Sequence, residues 1–229
     1  MQRRTFLNTT LGAAVLALTG CGGGDSTVAA SPASTDATSA TAITALSTQL
    51  DTLPPSDLST TEASALVFMR EEEKLARDVY QLLYTQWGQK VFNNIAASEQ
   101  QHMDAVALLL TRYSLPDPAA GAATGVFKDP ALQQMFNTLM AQGQTSLIAA
   151  LTVGATIEDL DIQDLQVRIA ATDNADIALV FNELMKGSRN HMRAFISQLT
   201  KQGVTYTPQY ITQAEFDAIV NSPTETGAV

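Results

Sequence analysis

Four long stretches of helical period, joined in a short, long, short rhythm, constrain this chain most. From Thr61 onward apolar residues recur every three to four positions, the spacing of one helix face. The first helix runs to about Gln86 with a stripe of Leu66, Met69, Ala76, Tyr80 and Leu83, and Thr60 or Thr61 can cap it. The second covers about Val91 to Tyr113, with Phe92, Ile95, Val106, Leu109 and Leu110 on one side. The third covers about Thr145 to Ala171 and carries Ile148, Leu151, Ala155, Ile162, Leu165 and Ile169. The fourth covers about Ala175 to Lys201 and carries Ile177, Val180, Phe181, Leu184, Phe195 and Leu199. No stretch alternates with period two for long, so no substantial sheet is expected.

The links decide how these helices pack. "WGQK" and "TDNAD" are short, and helices joined that tightly lie antiparallel. The middle link is dense in proline and glycine at "SLPDPAAGAATGVFKDP" and holds a short helix at "ALQQMFNTLMAQ". At roughly 30 residues it is long enough to cross a bundle. The expected fold is therefore all-α: a four-helix bundle over residues 61–202, built of two antiparallel hairpins with one long crossover, the ferritin-like connectivity. Residues 203–229 follow as a tail in which "TPQYITQAEFDAIV" forms a last turn or short helix.

The N-terminus reads as a targeting segment over residues 1–20. Arg3 and Arg4 precede an apolar run, Phe6 to Leu18, of about 13 residues, too short to span a bilayer as a helix. Leu18-Thr19-Gly20-Cys21 looks like a bacterial lipobox, and Cys21 is the only cysteine, so no disulfide can form within the chain. The expected fate of Cys21 is lipid attachment, which places the protein in a bacterial cell envelope, membrane-anchored and facing the periplasm or exterior. "RRTFL" also resembles a twin-arginine signal; ordinary secretory segments are basic too, so both export routes stay open. Gly22 after the cysteine lacks the aspartate associated with inner-membrane retention. Residues 21–60 are small, polar and proline-broken, a flexible linker in which "ITALSTQL" forms at most a short helical turn. A net charge of −10 disfavours nucleic acid as a partner and is compatible with cation handling.

Which polar residues fall on the apolar stripes is the informative question. At 100° per residue Glu99 and His102 lie within the arc of Phe92, Ile95, Val106 and Leu109. Glu158 lies between Leu151, Ile162 and Leu165, and His191 lies with Leu184 and Phe195. On the first helix Glu73 sits at one edge of the stripe and Glu72 at the other, so phase alone does not choose between them. A lone histidine on an apolar face is usually a hydrogen-bonded core residue, and "REEEKLARD" is usually a solvated face. Here both histidines of the chain and an acid on three helices coincide. Imidazole with carboxylate suits iron, manganese or zinc, and one or two ions would neutralise a buried cluster that is otherwise costly.

The blocks "MREEEKLARDVY", "FNNIAASEQQHMDAV", "VGATIEDLDIQDL", "TDNADI" and "GSRNHMRAF" resemble domain-of-unknown-function family 2202, in the ferritin-like superfamily, over about residues 62–202. More distantly the chain looks like rubrerythrin, whose helices supply Glu, Glu-x-x-His, Glu and Glu-x-x-His to two irons. That resemblance implies Glu73 as the first-helix ligand, Glu99 and His102 as the second-helix pair, Glu158 on the third helix with Asp161 as an extra carboxylate, and His191 on the fourth. Ser188 stands where the fourth helix should carry its glutamate, so the site is expected to be asymmetric, to hold one metal, or to recruit Asp161.

The leading expectation is an exported, lipid-anchored ferritin-like protein that binds iron or a similar divalent metal, with oxidase or peroxide-reducing activity if the metal is redox-active. Ser188 weakens that activity and favours a metal-binding or sensing module without turnover. A structural envelope lipoprotein is the third reading; it predicts that the inward acids pair with Arg70, Arg77, Arg168, Arg189 or Arg193 instead of metal. No protein nucleophile and no Gly-x-Ser-x-Gly is evident. Tyr80 and Tyr84 lie near Glu73 in sequence, as core residues or as supports of the ligands. A homodimer is compatible with the sequence.

Overall fold

In the computed structural model of the protein, residues 33–226 are described. The targeting segment, Cys21 and the first part of the linker lie outside them. Among the described residues are seven helices and no strand: α1 (Ala33–Thr52), α2 (Thr60–Trp87), α3 (Lys90–Arg112), α4 (Pro130–Gly143), α5 (Leu147–Ala171), α6 (Ala175–Lys201) and α7 (Gln213–Val220). The four long stretches of helical period are α2, α3, α5 and α6. None of the described helices is long and apolar enough to cross a membrane.

Local chemistry sets the helix ends. Ser59, one residue before Thr60 and two before Thr61, opens α2: its Oγ accepts from the Glu62 N–H at 3.2 Å while Glu62 Oε2 accepts from the Ser59 N–H at 2.9 Å. This reciprocal box satisfies two otherwise unpaired donors. Gly88 ends the helix at φ 65°, a left-handed turn, and its N–H bonds the Tyr84 carbonyl at 2.8 Å. Asp129 and Pro130 start α4, and Ser146 caps α5.

The linker differs from expectation. Residues 33–52 form a helix rather than an aperiodic tether with one turn. Leu46 and Leu50 are buried, and Ile43 packs beside them against Leu66, Leu109 and their neighbours. These three residues recur at helical spacing, so even this small-residue stretch owns a stripe that can dock. Ile148 departs the other way: it is exposed at the first turn of α5.

Paired contacts give the helix directions. As α2 advances from Glu73 to Arg77, its α3 partner retreats from His102 to Gln100. As α5 advances from Gly154 to Asp161, its α6 partner retreats from Phe195 to Ser188. The contacts Ser98–His191 and His102–Gly187 make α3 antiparallel to α6 as well. Two helices antiparallel to the same third helix run the same way, so α3 and α5 share a direction. The chain must therefore travel back along their length between them, and residues 113–146, including α4, make that journey.

The charged stretch of α2 pins this crossover instead of facing water. Glu71, Glu72, Glu73, Lys74 and Asp78 are all buried. Glu71 accepts backbone N–H groups of Lys128 and Asp129 at 2.6 and 2.9 Å. Lys74 donates to Asp78 at 2.5 Å and to the Ala123 carbonyl at 2.9 Å, and Asp78 also accepts the Gly125 N–H at 2.8 Å. Arg70 forks onto Asp117 at 3.1 and 2.9 Å. The expectation of a solvated face for "REEEKLARD" is overturned because the crossover covers it and backbone groups take the place of water.

The C-terminal stretch is likewise built in. Asp159 is fully buried on α5 and accepts the Tyr206 hydroxyl at 2.8 Å and the N–H groups of Gln209, Tyr210 and Ile211 at 2.5, 3.2 and 2.9 Å. Two apolar clusters result. One holds Tyr80, Phe92 and Phe195 with parts of α4 and α7; the other holds Leu66, Met69, Val106, Leu109, Phe181 and Leu184 with the end of α1. Along α2, α3 and α6 polar residues lie between these clusters, Glu73, Glu99, His102, Ser188 and His191, and on α5 Glu158 and Asp161 are set among Ile157 and Ile162 of the first.

Candidate metal centre

Each of the four long helices delivers a side chain to this polar layer because each has a polar residue on its apolar stripe. His102 Nδ1 stands 2.8 Å from Glu99 Oε2 and 3.2 Å from Glu73 Oε2. His191 Nδ1 stands 2.9 Å from Glu99 Oε1 and 3.4 Å from Glu158 Oε2. Glu99 thus turns one oxygen to each histidine. In both groups, Glu73–Glu99–His102 and Glu99–Glu158–His191, the donor atoms lie within 4.8 Å of one another. Every member is buried. The two imidazoles stack with centroids 5.4 Å apart.

Surrounding groups hold these side chains. Tyr80 donates its hydroxyl to Glu158 Oε1 at 2.5 Å, and its ring packs on Phe92 and Phe195. Tyr80 is therefore both a core residue and a support, whereas Tyr84 is exposed. Ser98 Oγ meets His191 Nε2 at 2.9 Å. Gly187 lies against the other imidazole: a Cβ there would fall 2.3 Å from His102 Nε2. The single Ser188 hydroxyl proton lies within reach of both Asp161 Oδ2 and the Leu184 carbonyl, and Asp161 Oδ1 is buried without a partner. Of the expected residues, Glu73, Glu99, His102, Glu158 and His191 come together directly, while Asp161 is bonded to Ser188 and stands outside both groups. Glu72 belongs to neither group and lines a small cavity with Leu75 and Leu139. Sequence reading missed Ser98 and Gly187. Gly187 did leave a signal, since an isolated glycine inside a helical pattern marks a close approach.

The electrostatics follow from burial and from proximity. Burial works to raise the Glu99 carboxyl, but the charges of His191 and His102 together outweigh it and hold Glu99 below the ordinary range. Burial lowers both histidines, and the facing carboxylates more than reverse this: Glu73 and Glu99 push His102 well up, and Glu99 and Glu158 push His191 up to about 10. Burial raises Glu73, with Asp161 adding to it, and raises Glu158, with Glu99 adding to it. Burial also lifts Asp161 to about 7 against the pull of the Ser188 hydroxyl. The carboxylates that face them therefore favour the protonated form of both imidazoles.

The residues fit a divalent transition metal. Donor atoms bound about 2.0–2.2 Å from one metal at right angles stand roughly 3 Å apart. The four Nδ1-to-oxygen distances run from 2.8 to 3.4 Å. His191 Nδ1 makes no aligned hydrogen bond despite its 2.9 Å contact, and Glu73 Oε1 has no partner at all. Nitrogen and oxygen donors together suit iron, manganese or zinc. Arginine does not replace the cation: Arg70 pairs with Asp117, Arg77 with Asp78, Arg168 with Asp164, and Arg189 and Arg193 with Glu225.

The model of the uncharacterized protein domain DUF2202 matches residues 62–223. The chain belongs to the DUF2202 family. An uncharacterized protein of Methanocaldococcus jannaschii is 52% identical over 178 residues, which cover 78% of this chain and 96% of that protein. The crystal structure of a hypothetical protein from Methanococcus jannaschii superposes with a TM-score of 0.75 at 53% identity, over 76% of this chain and 99% of that one. The DUF2202 match runs beyond residue 202 and through α7, in keeping with the four hydrogen bonds that tie Asp159 to residues 206–211.

Proposed function

We propose that this DUF2202 member is an exported, lipid-anchored ferritin-like protein. In this reading α2, α3, α5 and α6 form the four-helix bundle, α4 rides on its crossover, and the core binds iron or a similar divalent metal at two positions joined by Glu99. The observation that carries the reading is the division of Glu99: Oε2 faces His102 and Oε1 faces His191. Glu73 and His102 complete one position, Glu158 and His191 the other. Export and lipid attachment rest on residues 1–21 of the sequence, with Cys21 as the anchor.

Bound iron or manganese supplies electron exchange with oxygen or peroxide. The chain supplies the rest. Ser98 engages Nε2 of His191, which directs Nδ1 and its lone pair to the metal position. Tyr80 holds Oε1 of Glu158 and leaves Oε2 facing His191. Gly187 admits the His102 ring, and Ser188 orients Asp161 as a further carboxylate. Apolar clusters on both sides exclude water, which strengthens every charge interaction between them.

Ser188 favours a second reading, metal binding or sensing without turnover, because α6 contributes no carboxylate. One experiment separates the two. The chain, purified without an affinity tag and loaded anaerobically with ferrous iron, is exposed to oxygen or to hydrogen peroxide with a reductant in excess. The oxidase or peroxidase reading expects continuous consumption of one oxidant. Bound iron with no consumption leaves the sensing module. No stoichiometric binding of iron overturns both.

A further inference from the structure

The two histidine groups are unequally enclosed. The side chains of Glu73, Glu99, His102 and Glu158 are 1–2% exposed, and that of His191 is 9% exposed. Solvent therefore meets the ligand set at His191. The meeting point lies on the seam between α3 and α6, where the half-buried Ser98 stands 2.9 Å from His191 Nε2. On the other edge of the ring, His191 Nδ1 stands 2.9 Å from Glu99 Oε1 and 3.4 Å from Glu158 Oε2. Neither Arg189 nor Arg193, the nearest bases in sequence, competes for these oxygens, because both pair with Glu225. His102 has no such outlet. Its Nδ1 faces Glu99 and Glu73, and its ring stacks on His191. Its Nε2 is buried without a partner, where a Cβ on Gly187 would fall 2.3 Å away. The two groups meet in Glu99, whose Oε2 stands 2.8 Å from His102 Nδ1.

We infer that His191 is the entry ligand of the centre: the position it forms with Glu99 and Glu158 exchanges its ion with solvent, and the position at His102 fills and empties through it. This rests on the metal-binding reading above and adds an order of occupation. The contacts along the route suit a divalent cation. A neutral hydroxyl stands at the mouth, an imidazole follows, and two carboxylate oxygens lie within 3.4 Å of its Nδ1. Apolar clusters flank the centre on both sides, and a shell of that kind controls what reaches a metal from solvent. Ser98 thus has a second role beside fixing the ring: its small side chain leaves the approach to His191 open.

The test is removal of Co²⁺ from the loaded full chain by excess EDTA, followed by ligand-field absorbance, which needs no redox chemistry. Wild type is expected to release its ions in two phases of equal amplitude, the first from the His191 position. Ser98→Thr keeps the hydroxyl and adds one methyl at the seam. It is expected to slow the faster phase by about tenfold, the scale of overfilling a packed contact, and to leave the number of ions bound at equilibrium unchanged. Ser98→Ala removes the hydroxyl without filling the seam and should not slow release. Release of all bound Co²⁺ from wild type in a single phase overturns the inference. So does Ser98→Thr at the wild-type rate, or Ser98→Ala as slow as Ser98→Thr, which would assign the effect to ring orientation rather than access. Absence of Co²⁺ uptake by the wild type would instead remove the metal reading on which the inference stands.

Discussion

Glu99→Ala is expected to abolish binding at both proposed metal positions, and Glu73→Ala or Glu158→Ala at one. The asymmetry follows from geometry: Glu99 gives an oxygen to each histidine, and the other two glutamates serve one histidine each. Equilibrium titration with Co²⁺ reads the result as the number of equivalents bound. The substitution also acts on the metal-free protein. Removing one partner of a buried charge network typically costs about 3–5 kcal/mol. Each histidine keeps a second carboxylate, so the lower end, roughly 3 kcal/mol in chemical unfolding, is expected. Glu99→Gln separates the two effects, because it preserves packing and still gives up both ions. A Glu99 variant that retains one full equivalent would contradict the shared role.

Gly187→Ala should weaken binding at the His102 position by about 10–100-fold, the usual scale for disturbing a group that orients a ligand. The sign is informative, because helix propensity alone predicts the opposite of damage. Replacing an interior glycine by alanine favours a helix by about 1 kcal/mol. Here the new methyl would stand 2.3 Å from His102 Nε2 and 2.6 Å from Cε1. The ring cannot simply swing aside: its Nδ1 faces Glu99 and Glu73, and its plane stacks on His191. Overpacking typically costs about 1–3 kcal/mol. The two terms nearly offset, so stability falls by no more than about 2 kcal/mol while His102 is displaced. A Gly187→Ala protein with unchanged affinity at both positions would show that the imidazole is not confined there.

Much of this was legible in the residues themselves. The order and bounds of the four long helices follow from apolar period and from the contrast between short and long links. The inward placement of Glu99, His102, Glu158 and His191 follows from helical phase. The choice between Glu72 and Glu73 does not, because one residue is 100° of rotation and both edges of the stripe are plausible until α3 fixes where His102 stands. The burial of Glu71, Lys74 and Asp78 was invisible for a different reason. Their partners are backbone N–H and C=O groups of a crossover some fifty residues away, and backbone groups leave no trace in a residue pattern. Asp159 was hidden the same way, since three of its four donors are backbone amides. The helix at residues 33–52 was missed because three apolar side chains in a small, polar stretch give a weak moment, and its docking surface is supplied by other helices.

The most direct measurement is anomalous X-ray scattering from crystals of the chain loaded with iron or manganese, recorded at the absorption edge of the metal. Two peaks are predicted, about 3.5–4 Å apart, the usual separation in paired metal sites. Each should lie about 2.0–2.2 Å from an imidazole Nδ1 and carboxylate oxygens. One peak belongs with His102, Glu73 and Glu99, the other with His191, Glu158 and Glu99. Loaded crystals without anomalous density beside either histidine, with His102 and His191 bonded only to their glutamates, would contradict the paired metal centre.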